Sequence, residues 1–224
     1  MSRVLEDVDV RHRFVAEDDV LTGFDQHTTG TDGQLRAHRG GRIVRIQVTL
    51  DPRPLVTPHR VPSQDGRMVD DADLAHLRRC VALARAALEA GDEPFGSVLV
   101  DAEGRVRFED SNHVAGGDAT QHPEFAIARW AAEHLTPEER AAATVYTSGE
   151  HCPMCAAAHG WVGLGRIVYA SSSAQLASWL AELGVPPAPV KALPVNEISP
   201  GVPVEGPVPG LDEEVHELHR RLHG

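Results

Sequence analysis

Residues Tyr146-Thr-Ser-Gly-Glu-His-Cys-Pro-Met-Cys155 are the most informative stretch of the chain: a predicted strand, two cysteines and a proline that opens a helix. Cys152 and Cys155 are three residues apart at the start of that helix, so their thiols share one face and can reach a single tetrahedral ion. The positive end of the helix dipole also favours their thiolate forms. Taken alone, the pair is compatible with a structural zinc half-site, a redox pair or a catalytic zinc site.

A second motif, His122-Pro-Glu124, lies upstream of the cysteines and narrows these alternatives. His122 opens another predicted helix and can donate a third ligand, which leaves one position of a tetrahedral ion open, as in catalytic zinc sites. Glu124 follows on the same first turn, where it is placed to shuttle protons. Its alternative role is that of an ordinary acid stabilised by the helix dipole. Because neither a structural half-site nor a redox pair needs Glu124, the two motifs together favour a catalytic zinc site.

The residues around the motifs alternate between helix and strand patterns. A helix begins after a cap at Asp70 or Asp71 and ends at Gly91, and a hairpin of Phe95–Val100 and Arg105–Phe108 follows it. Further helices are predicted over about 122–134, from Thr136, over about 153–161, 174–183 and 211–222, with strands over 143–148 and 166–170. This order predicts a layered α/β domain around a mixed sheet.

The first 67 residues lack this alternation. They are polar and interrupted by prolines, and only Ile43–Leu50 has a strand pattern. A single strand cannot bury its apolar face, so we predict that residues 1–67 form an accessory or poorly ordered extension. Alternatively, Met68 is the natural start and the preceding residues are not native. Residues 68–224 are predicted to form the zinc-binding α/β domain, with a proline-rich tail and a C-terminal helix.

Charge and composition restrict the functional classes. The chain has 33 acidic and 21 basic residues, a net charge of −12, and residues 1–67 contain ten of each. The whole negative excess therefore follows Met68, which argues against a nucleic-acid partner because such binding needs clustered basic residues. No segment has the length of a membrane span or the apolar core of a secretory signal, and three cysteines cannot build a disulfide framework. We expect a cytoplasmic enzyme.

Additional residues extend the two motifs into a family resemblance. Glu93-Pro-Phe-Gly-Ser-Val-Leu-Val100, Asn112 before the histidine motif, and the stretch up to the second cysteine resemble the cytidine-deaminase-like superfamily of zinc nucleobase deaminases. The resemblance covers about residues 70–171 and is greatest with bacterial guanine deaminases. It implies a three-layer α/β/α fold around a central mixed five-stranded sheet, and a homodimer. It also implies one zinc ion per chain, held by His122, Cys152 and Cys155.

The resemblance further implies hydrolytic deamination of a free purine base or nucleoside, guanine-like, with release of ammonia. Glu124 would move protons, Asn112 would hydrogen-bond the base, and Phe95 and Gly96 would lie beside the pocket. Asn112 could instead be a turn residue, and Phe95 could be part of the core. Cytosine-like or triazine-type bases are the alternative substrates, and a non-catalytic zinc-stabilised interaction module is the alternative of another class.

Two positions depart from the family pattern. His151 stands where proline is usual before the first cysteine, and Pro123 stands where alanine is common. His151 could touch the substrate or a metal ligand, so these changes bear on which ring is bound and not on zinc deamination. Elsewhere, Cys80 is predicted to be buried, and the tryptophans are predicted to be core or dimer contacts. The C-terminal histidines are predicted to lie on a solvated helix surface. The tryptophans are Trp130, Trp161 and Trp179, and the C-terminal histidines are His216, His219 and His223.

Overall fold

The computed structural model describes four strands within residues 7–9, 22–27, 32–39 and 42–49, and the continuous chain from 69 to 224. The chain divides into two units, Met1–Thr57 and Pro58–Gly224. In the first unit, four strands form one sheet in the order β1-β4-β3-β2. They are β1 (Asp7–Asp9), β2 (Thr22–His27), β3 (Asp32–Arg39) and β4 (Arg42–Thr49).

The strand predicted over Ile43–Leu50 is β4, but the expectation of a strand without partners was wrong. Strand β3 pairs with it in antiparallel register from Asp32↔Thr49 to Arg39↔Arg42. The partner strands escaped prediction because their sequences are mostly polar and lack an apolar alternation, although the Gly40-Gly41 pair is a hairpin signal. The accessory role of residues 1–67 stays a prediction, and its part over residues 51–67 lies outside the described residues.

The second unit alternates helices and strands as predicted. Its helices are α1 (Asp71–Ala90), α2 (Pro123–His134), α3 (Pro137–Ala142), α4 (Pro153–Val162), α5 (Ser173–Glu182), α6 (Val195–Ile198) and α7 (Leu211–His223). Its strands are β5 (Gly96–Val100), β6 (Val106–Ser111), β7 (Thr144–Gly149), β8 (Arg166–Ser171) and β9 (Val204–Glu205). The short elements α6 and β9 were not predicted, because they lie in the proline-rich tail and are too short to show a period.

The boundaries of α1 illustrate how local sequence sets these elements. Asp70 accepts from the Asp73 amide and Asp73 accepts from the Asp70 amide, which makes a reciprocal capping box. Gly91 ends the helix in the left-handed region with φ of 94°, which glycine adopts without a Cβ penalty. The predicted cap at Asp70 and the predicted end at Gly91 are therefore both confirmed.

The five strands form one mixed sheet in the order β6-β5-β7-β8-β9. Strand β5 pairs antiparallel with β6 and β7, whereas β8 pairs parallel with β7 and β9. The α/β fold with a central mixed five-stranded sheet is confirmed. Because β7 and β8 run in parallel, the loops that follow them emerge at one edge of the sheet.

Buried side chains alternate between the two faces of this sheet. Val98, Val100 and Val168 pack with residues of α1 and α7. Leu99 and Val145 pack on the opposite face with α2. Helices therefore cover both faces in three layers, and α4 lies beside α2. Cys80 is fully buried in the first cluster, as predicted.

One prediction about histidine side chains needs correction, and one about tryptophans is narrowed. Trp161 is 90% exposed, so of its two predicted roles, core or dimer contact, the core role is wrong and the dimer contact stays a prediction. His219 is 2% exposed, with its ring edge against Phe95, and is not on a solvated surface. The structural reason is that α7 turns one face toward α1 and the sheet, and His219 lies on that face one residue after the buried Leu218.

Within the described residues, no helix combines the length and apolar character needed to cross a bilayer.

Candidate metal centre and active site

His122, Cys152 and Cys155 converge at the edge of the sheet where β7 ends. His122 is the N-cap of α2, and Cys152 is the N-cap of α4. The Sγ atoms of the two cysteines are 3.5 Å apart, and the Nδ1 atom of His122 is 3.6 Å from Cys152 Sγ and 3.7 Å from Cys155 Sγ. Ligand bonds of about 2.0–2.3 Å in a tetrahedron place such atoms about 3.5–3.8 Å apart. The three residues therefore fit a zinc ion.

The protonation of this group in the chain alone also suits a cation. The hydrogen bond between the two thiols lowers the pKa of Cys152 to about 4 and raises the pKa of Cys155. The hydrogen bond with Cys152 raises the pKa of His122. The three groups therefore share protons and negative charge in a half-buried space, and a divalent cation can replace those protons.

Glu124 lies on the first turn of α2, two residues after His122, and is only 5% exposed. Its Oε1 atom accepts hydrogen bonds from Ser97 Oγ at 2.7 Å and from Thr147 Oγ1 at 2.9 Å. Burial raises the pKa of Glu124, and these hydroxyls and nearby His122 oppose that rise only in part. A carboxyl group that favours its proton beside a metal group is suited to proton transfer.

Ser97 and Thr147 were not predicted as site residues. Both are fully buried, one on β5 and one on β7, directly opposite each other in the antiparallel register. The signal available in the sequence was a serine within the apolar strand Gly96-Ser-Val-Leu-Val100. A polar side chain at such a position requires a hydrogen-bonding partner.

Asn112 is fully buried after the end of β6. Its Oδ1 atom accepts from the Val114 amide at 3.0 Å, so the turn role considered above is present. This bond also fixes the orientation of the amide group, and Nδ2 is buried with no hydrogen-bond partner among the described residues. A buried donor of this kind is available to a ligand acceptor.

Phe95 and Gly96 connect this loop to the sheet. The Phe95 carbonyl accepts from the Asn112 amide at 3.0 Å, so Phe95 lies beside the residue predicted to contact the base. A Cβ at Gly96 would lie 2.6 Å from the Cys80 carbonyl oxygen and would collide with Leu83. Gly96 thus allows α1 to pack closely on β5, which is a structural requirement independent of any substrate contact.

His151 precedes the metal group and is fully enclosed. Its ring lies 5.3 Å from that of His159 in an edge-to-face arrangement, and neither ring nitrogen has a partner among the described residues. His159 shares a hydrogen bond with the Gly165 carbonyl. His113, by contrast, is in an exposed loop beside Asp110. The predicted contact of His151 with substrate or a metal ligand stays a prediction.

Comparison with known proteins supports the predicted resemblance. The family model described as the cytidine and deoxycytidylate deaminase zinc-binding region matches residues 70–171. The predicted resemblance to zinc deaminases is therefore confirmed over this stretch. The match runs from the cap of α1 to the end of β8, so it includes all of the candidate site residues.

Three curated relatives indicate the range of known activities. The chain is 33% identical over 108 residues to a probable cytosine deaminase of Schizosaccharomyces pombe, covering 48% of this chain and 65% of that protein. It is 39% identical over 87 residues to a tRNA-specific adenosine deaminase of Agrobacterium fabrum, covering 38% and 57%. It is 36% identical over 97 residues to a guanine deaminase of Bacillus subtilis, covering 42% and 62%. The chain thus spans 57–65% of the length of these relatives.

A solved structure supports the fold. The structure of a guanine deaminase from Nitrosomonas europaea matches with a TM-score of 0.52 at 22% identity, covering 75% of this chain and 93% of that one. At this identity the likeness concerns the fold alone.

Proposed function

We propose that this protein is a zinc-dependent hydrolytic deaminase of a free purine base or nucleoside with a guanine-like ring. The observation that carries the proposal is Glu124: a carboxyl group 5% exposed, beside the metal group and held by two hydroxyls. A site that only stabilised the fold would have no use for a buried acid there, which disfavours the non-catalytic zinc module. One zinc ion per chain would be held by His122, Cys152 and Cys155.

Zinc, when bound, lowers the pKa of a coordinated water to about 7, so that a nucleophile is available near neutral pH. Glu124 takes a proton from the attacking water and delivers it to the ring nitrogen next to the amine-bearing carbon. The new carbon–oxygen bond forms as the carbon–nitrogen double bond within the ring becomes a single bond; the ring stays closed. Glu124 then takes the second proton, from the new hydroxyl group, and gives it to the amine. The exocyclic carbon–nitrogen bond breaks, ammonia leaves and a ring carbonyl remains.

Asn112 is the proposed base-recognition residue. Its Nδ2 donor is buried without a partner among the described residues, and a ring nitrogen or carbonyl of the base can accept from it. A site built to hydrogen-bond a substrate group discriminates strongly against analogues that lack it. Phe95, whose carbonyl holds the Asn112 loop, is proposed to line the same pocket, as is Gly96.

Cytosine-like or triazine-type bases are the second candidate substrates, because the curated relatives include a probable cytosine deaminase. A tRNA substrate is disfavoured although one relative acts on tRNA. Residues 68–224 contain 23 acidic and 11 basic residues, and a polyanion would be repelled by that excess. We therefore propose small-molecule substrates, and action in the cytoplasm as the sequence indicated.

We also propose a homodimer that uses the outer face of α4. Met154, Ala157 and Trp161 follow helical spacing along this face, and Trp161 is 90% exposed. No charged residue occurs between Glu150 and Arg166 in the sequence, so two copies can meet here without charge repulsion. Sedimentation analysis of Trp161→Glu should show a smaller species than the parent protein; an unchanged size would contradict this surface.

The deaminase proposal is tested by metal analysis and an ammonia-release screen on the same preparation. We expect about one zinc per chain, and ammonia release from guanine or its nucleoside above cytosine, isoguanine, adenine and aminotriazines. Activity confined to cytosine or triazine rings would select the second candidate. Zinc binding without ammonia release from any of these rings would favour the non-catalytic module.

A further inference from the structure

Ser97 and Thr147 form a closed group of hydroxyls around one oxygen of Glu124. Ser97 Oγ lies 2.7 Å from Glu124 Oε1 and 2.9 Å from Thr147 Oγ1. Thr147 Oγ1 lies 2.9 Å from the same carboxyl oxygen and 2.9 Å from the Gly149 carbonyl. Both side chains are completely buried, so water does not compete for these contacts.

The position of Ser97 on β5 makes its hydroxyl unusual. Leu99, two residues further on and therefore on the same face of the strand, belongs to the apolar cluster that packs against α2. An apolar side chain at position 97 would extend that cluster, whereas a buried hydroxyl is favourable only with a partner. Its partners are Glu124 and Thr147. Ser97 therefore contributes a contact with this carboxyl group in place of apolar packing.

Each hydroxyl has a single proton, and the distances indicate where it goes. The shorter of the two Ser97 contacts is the one to Glu124, which makes Ser97 the principal donor to Oε1. Thr147 is equidistant from Glu124 and Gly149, so its proton is divided between them. The terminal torsion of a glutamate is otherwise broad, and a donor fixed on one oxygen restricts it.

We propose, building on the deaminase function above, that Ser97 is a positioning residue which, assisted by Thr147, holds Oε1 so that Oε2 is the oxygen that transfers the proton. Oε1 then keeps its hydrogen bonds as an acceptor whether or not Oε2 carries a proton. The carboxyl group therefore does not need to turn between taking a proton from water and giving it to the ring.

The principal test compares Ser97→Ala with Ser148→Ala. Ser148 is an equally buried serine on β7 whose hydroxyl accepts from the Gly96 amide, and it makes no hydrogen bond to Glu124 within the part of the chain that the structure describes. We expect Ser97→Ala to lower kcat about 10- to 100-fold with KM and zinc content unchanged, because small misplacements of reacting groups cost rates of that order. Ser148→Ala should keep kcat. A parental kcat for Ser97→Ala overturns the proposal.

A second pair guards against loss of folding at position 97. Thr147→Val removes the hydroxyl with little change of shape, and Thr147→Ser restores it. We expect a smaller loss of kcat for Thr147→Val than for Ser97→Ala, with recovery in Thr147→Ser. In a Glu124→Gln background, Ser97→Ala should cause no further loss of kcat, since Ser97 acts through the carboxyl group. An additional full loss in that background would overturn the proposal.

A structural measurement separates failure of this proposal from failure of the deaminase function. In crystal structures of the zinc-loaded variants, the Glu124 carboxyl group should occupy more than one orientation in Ser97→Ala and one orientation in Ser148→Ala. This result would support the positioning role even if no tested ring released ammonia. A single, unmoved Glu124 in Ser97→Ala would overturn it even in an active enzyme.

Discussion

Two buried carboxyl groups at different places in the second unit are held in opposite ways. Glu124 accepts hydrogen bonds from two hydroxyls and lies beside the metal group, and burial raises its pKa. Asp73 lies on α1 and receives both terminal nitrogens of Arg166, at 2.8 and 2.9 Å, and the Tyr146 hydroxyl at 2.7 Å. Burial raises the pKa of Asp73 too, but these bonds and the Asp70 amide outweigh it and hold that pKa at about 2.

The difference separates a structural acid from one that can exchange protons. Arg166 also binds Glu205 on β9 and thereby ties the first helix to the last strand of the sheet. Asp73 is permanently ionised in this arrangement and cannot serve in proton transfer near neutral pH. Among the described residues Glu124 pairs with no arginine, so its proton can move. The following predictions test this contrast, from the largest expected effect to the smallest.

Replacement of Glu124 by glutamine should abolish most turnover. Proton transfer by a positioned side chain contributes about 10²- to 10⁴-fold to rate, and glutamine cannot provide it. Zinc content and the thermal midpoint should be unchanged, because glutamine is neutral and can still accept from Ser97. Steady-state ammonia release and metal analysis measure both quantities. Turnover close to the parental rate would remove Glu124 from its proposed role.

Replacement of Asp73 by asparagine should give the reverse result. Asparagine cannot accept from both terminal nitrogens of Arg166 and turns an amide donor toward them, so we expect a loss of about 3 kcal/mol of unfolding free energy, while Arg166 keeps its pair with Glu205. The rate per folded molecule should be unchanged, since Asp73 has no proposed role in catalysis or substrate binding. Urea unfolding provides the free energy, and Asp71→Asn on the exposed side of the same helix turn is the control. If Asp73→Asn lowered turnover without lowering stability, the contrast would fail.

His219 offers an intermediate effect that depends on pH. Burial, together with His223 and His216, lowers its pKa to about 4 from an ordinary value of 6.5. The unfolded chain therefore binds the proton more readily than the folded chain, so stability is full above about pH 6.5 and is lost as pH falls toward 4.

His219→Leu should remove this loss, which amounts to at most about 3 kcal/mol at the acid end. Unfolding free energies measured across pH 4–7 for the parent and the variant would show the difference. His113→Gln, in an exposed loop outside this group of histidines, is the control. Parallel curves for the parent and His219→Leu would contradict the assignment.

The smallest effect is expected from deletion of residues 1–67. If they are accessory, as we propose, the remaining chain should retain its deaminase rate and zinc content. Activity and solubility of residues 68–224 measure this directly. Loss of folded protein would mean that the first unit contributes to the stability of the second.

Much of the second unit and its metal group was predictable because the signals are local. Asp70 and Gly91 bound α1, and the spacing of His122, Cys152 and Cys155 follows from two helix starts. Contacts between distant segments were not predictable. The approach of Ser97 and Thr147 to Glu124 depends on the register between β5 and β7, which no local pattern encodes. The burial of His219 likewise depends on where α7 packs.

The sequence could not decide between a core role and a dimer contact for Trp161, for a related reason. An apolar helix pattern indicates burial but does not distinguish the core from a surface that another molecule covers. The burial of His219 was missed in the opposite sense: a polar residue next to apolar ones in a helix can lie on either its exposed or its buried face. In both cases the missing information was which element packs against which.

The spacing of the ligands has a consequence for the strength of the fold. His122 and Cys152 are separated by 30 positions, and they begin different helices. An ion bound by both closes a loop of that length, as a covalent bridge would, and restricts the unfolded chain by about 3–4 kcal/mol on the loop-closure relation. Withdrawal of zinc by a chelator should therefore remove a cross-link between α2 and α4 and lower the unfolding free energy by a comparable amount.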